Sequence, residues 1–382
     1  MTLKSHFSRF LGSDPERLHF AAHSHHPWPD VSFEAHRQAW DDAARLIDDK
    51  WGYIFGTVIP SARDLVAGVI GISDPKTLVF APNTHELVVR IFSCLSPPVR
   101  VLTTDSEFHS FTRQLRRWEE AGLAVADRVP AEPFGTFSER FISVARAGVH
   151  DLIYLSEVFY DSGLVVDQLD RIVSSVPEDR AFFVIDGYHA FMARPVDLGA
   201  IQDRVFYLAG GYKYAMAGEG VCFVHAPPGY GARPVDTGWY AGFAELETGV
   251  SELIPYPGDG GRFYGATFDP SGVYRLRAVL SWVEEIGLTP ADITAHAGKL
   301  KQRLVASGAL PGHLVVSPEW ATGNFLTVEN PDAASIYGAL HRHNVIVDHR
   351  GDRLRIGLGI YQDEDDVDRL VSILEEMGGS RS

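Results

Sequence analysis

Short, uninterrupted apolar runs recur along the middle of the chain, and segments with helical spacing lie between them. The run TLVFAP is followed by apolar residues at positions 87, 88, 91, 92 and 95, the spacing of one helix face. Similar runs are VRVLTTD, LIYLSEV, AFFVID, VFYLAG and VCFVHA, and a helix is expected from His109 to Glu120. Such runs are typical of strands buried on both faces, so their alternation with helices predicts an α/β fold with a mostly parallel sheet.

The C-terminal part of the chain has a different pattern. RLRIGLG predicts one more strand, and DEDDVDRLVSILEEM predicts a closing amphipathic helix. We therefore expect a large domain over residues 31–267 and a smaller C-terminal domain over residues 268–382. Residues 1–30 are expected to form an N-terminal segment that contributes to the active site and to the small domain.

Composition and charge narrow the possible partners. The chain has 382 residues, of which 45% are hydrophobic, and a formal net charge of −16. Nucleic acids and anionic membranes both require a dense basic face, so a small molecule is the expected partner. Two cysteines provide no disulfide framework, and the N-terminal sequence has no long apolar segment. These features predict a cytoplasmic protein.

A lysine stands in an unusual place, just beyond the end of a buried strand. AFFVID ends in Asp186, and Lys213 follows the end of VFYLAG, 27 residues after that carboxylate. Both side chains are expected at one crevice, because ligands bind beyond the carboxyl ends of parallel strands. A lysine in a tight apolar site has a lowered pKa, which favours Schiff-base chemistry. Pyridoxal 5′-phosphate (PLP) supplies the aldehyde, and a carboxylate keeps its pyridine nitrogen protonated. Taken alone, Asp186 could also be a helix cap or a turn former.

The segment PNTHE lies where a strand passes into a helix. Its free backbone N–H groups and the helix dipole favour an anion such as the cofactor phosphate. We therefore expect Asn83, Thr84, His85 and Glu86 to bind the cofactor. The same letters also form an ordinary helix-capping sequence.

VIDGYHAF and AGGYKYAMAGEG together resemble the cofactor core of the class V aminotransferase family of fold-type I PLP enzymes, and within it the kynureninase branch. Like kynureninases, the chain has Tyr212 directly before Lys213. SEVFYDSG is similar to a segment that would place Tyr160 against the cofactor's 3-oxygen, and DSEFHS suggests Phe108 as the stacking ring. The resemblance implies a large domain with a seven-stranded, mostly parallel sheet flanked by helices, and a smaller C-terminal α+β domain.

The resemblance also implies roles for individual residues. Lys213 would form the Schiff base and shuttle protons, and Asp186 would face the pyridine nitrogen. His189 and Tyr212 would bind the phosphate, and His189 and Tyr160 join Lys213 and Asp186 as expected catalytic residues. Trp239, in TGWYAG, would reach the phosphate of a partner subunit, which implies a homodimer with active sites at the interface. Arg355 would bind the substrate carboxylate.

The chain departs from kynureninases where the substrate side chain should lie. Their R-F-x-x-[ST]-N-P segment is replaced by RFYGATFDPSG, in which Thr267 is the expected cofactor contact. In HSHHPWP, His23 replaces a loop asparagine, and His25 and His26 follow. We expect His23 and His25 to bind substrate. A metal site and ordinary surface histidines are the alternatives, but no cysteine or carboxylate nearby in sequence completes a metal set, so no metal is expected.

The expected function is therefore that of a PLP enzyme acting on a small amino acid, with kynureninase-like C–C or other β,γ-cleavage as the first hypothesis. Transamination, another PLP lyase or racemase reaction, and a non-catalytic binding protein on the same fold are the alternatives. A cysteine desulfurase is disfavoured because HRHNVIVDHRGDRLR contains no cysteine. A nicotinamide enzyme is disfavoured because no early G-x-G-x-x-G is present. The roles of His26 and Glu219 stay open.

Overall fold

The computed structural model describes residues 3–177, 181–245 and 253–379. Its strands in chain order are β1 (Leu18–His19), β2 (Leu78–Ala81), β3 (Val99–Thr104), β4 (Ala124–Val129), β5 (Leu152–Ser156), β6 (Phe182–Asp186), β7 (Val205–Gly210), β8 (Cys222–His225), β9 (His313–Leu314), β10 (Phe325–Glu329), β11 (Val345–Ile346), β12 (Asp348–Arg350) and β13 (Arg353–Gly357). They form three sheets, the largest of which has seven strands.

The seven-stranded sheet has the order β2-β8-β7-β6-β5-β3-β4. Five strands, β4, β3, β5, β6 and β7, run parallel to one another. Strand β8 is antiparallel to both of its neighbours, β7 and β2. Alternate residues face two separate apolar cores: in β6, Phe183 and Ile185 pack in one and Val184 in the other. This burial on both faces explains the continuous apolar runs, and the predicted seven-stranded, mostly parallel sheet is confirmed.

Helices cover both faces of this sheet and one face of the smaller sheet described below. They are α1 (Ser8–Gly12), α2 (Asp30–Leu46), α3 (Lys50–Tyr53), α4 (Ile59–Ile70), α5 (Thr84–Phe92), α6 (His109–Glu120), α7 (Phe137–Ala145), α8 (Leu169–Ser174), α9 (Ser271–Glu285), α10 (Pro290–Ala306), α11 (Ala333–Arg342) and α12 (Glu364–Gly379). Helix α9 packs against α2 and α4. The continuous helical stretch Asp30–Ile70 contains a window apolar enough to cross a membrane, a property that buried helices of folded proteins share.

The C-terminal part of the chain forms a four-stranded antiparallel sheet with the order β12-β13-β10-β9. Its apolar face packs with α10, α11 and α12. The N-terminal segment joins this part, because β1 pairs in parallel with β11 and Ala21 bridges to Gly357. The expected division of the chain into residues 1–30, 31–267 and 268–382 stays a prediction.

Candidate active site

The carboxyl ends of β6 and β7 border a cavity of about 430 Å³. Asp186 is the last residue of β6, and Lys213 follows three residues after the end of β7. The lining residues are Pro82, Asn83, Thr84, His85, Phe108, Ser110, Ser156, Tyr160, Asp186, Tyr188, His189, Tyr212, Lys213, Glu219, Gly220 and Cys222. Nine residues expected at the site from the sequence therefore meet here, although they come from five distant segments of the chain.

Among the described residues, Lys213 is the only lysine on the cavity wall, and its side chain is buried. Its Nζ lies 2.7 Å from Nε2 of His189. Burial lowers the pKa of Lys213 to about 7, and the nearby Asp186 carboxylate opposes that shift only in part. Burial also lowers the pKa of His189 well below its usual value, and the Lys213 charge adds to the effect. The site therefore favours a neutral amine beside a neutral imidazole near pH 7.

Asp186 is held rigidly at the floor of the cavity. Its Oδ2 accepts a hydrogen bond of 2.7 Å from the Tyr154 hydroxyl, and its Oδ1 accepts one of 3.0 Å from the backbone N–H of Tyr188. Burial raises the pKa of Asp186. The following residue has to be glycine, because a Cβ at Gly187 would lie 1.9 Å from the Tyr207 hydroxyl. A cationic N–H group facing this carboxylate would satisfy it.

Aromatic rings enclose the Lys213 amine. Nζ lies 5.3 Å from the ring centroid of Phe108, 5.1 Å from that of Tyr188 and 5.7 Å from that of Tyr212. The Tyr160 ring meets Phe108 edge to face, with 5.5 Å between centroids. Such flat apolar walls suit a planar heteroaromatic ligand.

The N-terminus of α5 closes one end of the cavity. Asn83 caps the helix, since its Oδ1 accepts a 2.9 Å hydrogen bond from the N–H of Glu86. The capping interpretation of PNTHE is thus correct, and the first residues of the helix, Thr84 and His85, line the cavity, where a helix N-terminus favours an anion. Glu86 does not line the cavity; its carboxylate pairs with Arg90.

Arg355 lies beside the cavity rather than on its wall. In the small sheet Arg355 lies on β13, between its cross-strand neighbours Thr327 of β10 and Asp348 of β12. One guanidinium nitrogen of Arg355 donates to the Tyr160 carbonyl oxygen and another pairs with the Asp348 carboxylate. The Nε of Arg355 and the Oγ1 of Thr327 are buried, and neither has a hydrogen-bond partner in the described part of the chain.

His23, close to Arg355, is also buried without a hydrogen-bond partner for its ring in the described part of the chain. Both of its ring nitrogens lack hydrogen bonds within the described ranges. The ring stacks on Phe325 with 4.7 Å between centroids, and its Nε2 lies 3.8 Å from an Asp348 oxygen. Burial, together with the charge of Arg355, lowers the pKa of His23 well below its usual value. Buried donors and acceptors normally find partners, so Arg355, Thr327 and His23 mark a place prepared for a polar ligand.

The two histidines after His23 have different surroundings. The His25 side chain is 67% exposed; it stacks on Tyr212 and lies 3.8 Å from the Glu219 carboxylate at the cavity mouth. His26 is buried, and burial lowers its pKa to about 3. The expected role of His25 in substrate binding is sterically open, whereas His26 is part of the packing.

Trp239 and Thr267 lie away from the cavity of their own chain. The Trp239 Nε1 donates a 2.9 Å hydrogen bond to the Thr267 hydroxyl, and both residues are exposed. The roles expected for them, contact with a partner subunit's phosphate for Trp239 and cofactor binding for Thr267, stay predictions.

Sequence reasoning missed several site residues. Ser110, Ser156, Tyr188, Gly220 and Cys222 line the cavity. Burial raises the pKa of Cys222 to about 12, so its thiol is a poor nucleophile. Glu107, directly before Phe108, is buried under the site, and burial raises its pKa to about 8. The sequence did contain a signal for Tyr188 and Glu107, because each stands inside a motif that was singled out for other residues.

The described residues fit PLP. The cavity combines an amine with a lowered pKa, a buried carboxylate 2.7 Å from a tyrosine hydroxyl, aromatic walls and a helix N-terminus. These correspond to the aldehyde, the pyridine nitrogen, the ring and the phosphate of that cofactor.

Comparison with known proteins relates the chain to one family of enzymes. A family model described as aminotransferase class V matches residues 51–370. Isopenicillin N epimerase from Streptomyces clavuligerus is 27% identical over 353 residues, covering 83% of this chain and 84% of that protein. The enzyme of the same name from Amycolatopsis lactamdurans is 28% identical over 195 residues, but the match covers only 47% of either chain.

Solved structures show the same fold at low identity. The apo structure of a cysteine desulfurase from Thermococcus onnurineus NA1 superposes with a TM-score of 0.80, 16% identity and coverage of 99% of this chain and 98% of that one. A C-DES mutant with glycine covalently linked to its PLP cofactor gives a TM-score of 0.81 at 16% identity, with 98% and 99% coverage.

Proposed function

Because the chain belongs to the class V aminotransferase family of PLP-dependent enzymes, we propose that it acts at the α-carbon of a small amino acid whose carboxylate binds Arg355. The observation that carries this proposal is the buried Lys213 amine, 2.7 Å from His189 and with a pKa lowered to about 7. Such an amine is a nucleophile and a base at neutral pH, which an ordinary lysine is not.

The side chains divide the work as follows. Lys213 would hold the cofactor covalently through Nζ and, once released by substrate, would carry the proton at the α-carbon. His189 is placed to exchange a proton with that amine, and Asp186 would keep the pyridine nitrogen protonated. Bound PLP supplies an electron sink for negative charge at the substrate α-carbon. The position of His189 beside the amine favours this proton-transfer role over the phosphate contact expected from the resemblance.

Arg355 and His23 are suited to the substrate itself. The unpaired Nε of Arg355 offers a donor to a carboxylate, and a planar guanidinium binds carboxylates through parallel hydrogen bonds. Because His23 is neutral, its ring can donate a hydrogen bond to the substrate or accept one without adding charge. Its Nε2 lies 3.8 Å from an Asp348 oxygen. His25, at the cavity mouth, is free to approach the substrate side chain.

For the reaction we propose kynureninase-like cleavage of the β,γ-bond. Its support is the resemblance of the segments around Tyr160, Phe108 and Tyr212, three residues that line the cavity together. Hydrolytic cleavage requires a proton donor or acceptor near the substrate side chain, and His23 and His25 are candidates for it. Sulfur transfer is disfavoured because the pKa values of Cys94 and Cys222 are both raised to about 12.

Epimerisation at the α-carbon is the second candidate. It is favoured by one observation, the similarity to isopenicillin N epimerase from Streptomyces clavuligerus over 83% of this chain. We further propose that the protein works in the cytoplasm as a homodimer with active sites at the subunit interface.

The test uses the PLP-loaded protein with L-kynurenine, followed by a panel of L-amino acids in D2O. Anthranilate fluorescence reports β,γ-cleavage, and proton NMR with chiral chromatography reports exchange or inversion at the α-carbon. Anthranilate release supports the kynureninase-like reaction; a D-amino acid without anthranilate supports epimerisation. If no amino acid exchanges its α-proton or reacts, the proposal is wrong. The Lys213→Ala variant is the control and should lose both the reaction and the borohydride-stable cofactor adduct.

A further inference from the structure

A second cavity, of about 630 Å³, shares His189 with the active-site cavity. It is bounded by α10, by the segment from Val316 to Leu326 and by the loop that follows β6. It is larger than the active-site cavity, and none of the functions proposed above uses it.

The charged groups around the second cavity are all basic. Its titratable lining residues are His189, Arg194 and Lys301, and no aspartate or glutamate of the described ranges lines it. This is unusual in a chain with a net charge of −16. Arg194 lies 3.9 Å from Glu157, an ion-pair distance too long for a hydrogen bond. The cavity therefore attracts anions.

Lys301 is the best-placed of these cations. Its Nζ donates to Thr322 Oγ1 and to the Gly323 carbonyl, both at 2.8 Å, and its third contact, the Thr322 carbonyl, is at 3.5 Å. All three acceptors are neutral, and the last bond is weak enough to be exchanged for a better one. Burial lowers the pKa of Lys301 to about 8, which is the expected behaviour of an ammonium without a counter-charge.

The rest of the lining is largely apolar. Val165, Val305, Leu314, Val316, Trp320 and Leu326 contribute hydrocarbon or aromatic surface. A site that combines apolar walls with one convergent cation is typical of small-molecule binding.

We propose that the second cavity binds a small organic anion with an apolar body, its carboxylate on Lys301. The occupant would also contact His189, whose Nε2 lies 2.7 Å from the Lys213 amine. Binding there is therefore coupled to the surroundings of the catalytic amine through a single imidazole ring.

The test measures binding of 2-naphthoate to the purified protein by isothermal titration calorimetry, with the neutral 2-naphthamide as the matched ligand. We expect saturable 1:1 binding of the carboxylate and much weaker binding of the amide. Lys301→Met should weaken naphthoate binding by about tenfold or more, the loss of one charge-assisted hydrogen bond. Lys299→Met, two residues away on the exposed face of α10, should leave it unchanged.

Two further variants separate the alternatives. Val305→Trp fills the apolar end without removing the cation, and it should abolish binding even if Lys301→Met fails to fold. Arg355→Ala removes the carboxylate site of the active centre, and binding should persist. Equal affinity in wild type and Lys301→Met or in wild type and Val305→Trp, or loss of binding in Arg355→Ala, would overturn the proposal. Because calorimetry does not depend on turnover, the result is independent of the proposed reaction.

Discussion

At the scale of single residues, burial decides the chemistry of the site. Lys213, His189 and His23 are ordinary residue types whose pKa values are lowered because the surrounding chain excludes water. Sequence motifs indicated Lys213 and Asp186 correctly as neighbours. The motifs did not indicate that Arg355 would form an ion pair with Asp348, because that contact depends on the register of β12 against β13.

The pH dependence of cofactor attachment tests the state of Lys213. The neutral amine attacks the aldehyde, and it predominates above its pKa. Because that pKa is lowered to about 7, we expect the rate of PLP attachment to the apo-protein to rise as the pH increases and to level off above about pH 7 to 8. Stopped-flow absorbance between about pH 5.5 and about pH 11.5 would measure it, a range that includes both a midpoint near 7 and the usual lysine pKa. A midpoint near the usual lysine pKa of about 10.4 would contradict the assignment.

The carboxylate role of Arg355 is tested by a matched pair of variants. Arg355→Lys removes the planar donor pair, so we expect the amino-acid KM to rise by about tenfold to a hundredfold, with cofactor retained. Arg353→Lys is the control: Arg353 is two residues away and pairs with Glu132 and Asp161. An equal effect of both substitutions on KM would show that Arg355 has no special role.

At the scale of elements, the sequence predicts best those helices and strands that have the strongest apolar pattern. VFYLAG is β7 and the helix from His109 to Glu120 is α6, with the predicted bounds. The edge strand β4 was not predicted, because AVADRV is largely exposed and two charged residues interrupt its apolar run. The antiparallel direction of β8 was also missed, since a strand buried on both faces reads the same in either direction.

The packing of His23 against β13 gives a test at this scale. A Cβ at Gly357 would lie 2.2 Å from Nδ1 of His23. We expect Gly357→Ala to lower the free energy of unfolding by about 1–3 kcal/mol and to weaken substrate binding by displacing that ring. Gly68→Ala, at a position in α4 with no heavy atom within 4 Å, is the control and should stabilise the protein by about 0.5–1 kcal/mol. Urea unfolding measures the change in stability, and steady-state kinetics measure KM. An unchanged KM in Gly357→Ala would show that the position of His23 does not affect substrate binding.

At the scale of the whole molecule, the exposed apolar surface around Trp239 bears on assembly. Trp239 is 40% exposed and Val235 is 83% exposed, and neither lines the cavity of its own chain. An exposed tryptophan is a common feature of protein interfaces. This surface supports the proposed homodimer.

Subunit complementation tests shared sites. Lys213→Ala and Trp239→Ala are each expected to be inactive as homodimers. If Trp239 serves the partner's site, each mixed dimer contains one intact site, and co-expression should restore about a quarter of wild-type activity. If Trp239 serves only its own chain, the mixture should stay inactive. Active Trp239→Ala homodimers would show that the residue is dispensable.

The pairing of β1 with β11 has a consequence for protein synthesis. Leu18 is made 327 residues before its strand partner Val345. Gly357, against which His23 packs, is made later still. The growing chain therefore contains Lys213 and Asp186 long before it contains Arg355, the residue proposed to bind the substrate carboxylate. A chain that ends before Val345 lacks the strand partner of β1 and also the proposed substrate-binding arginine.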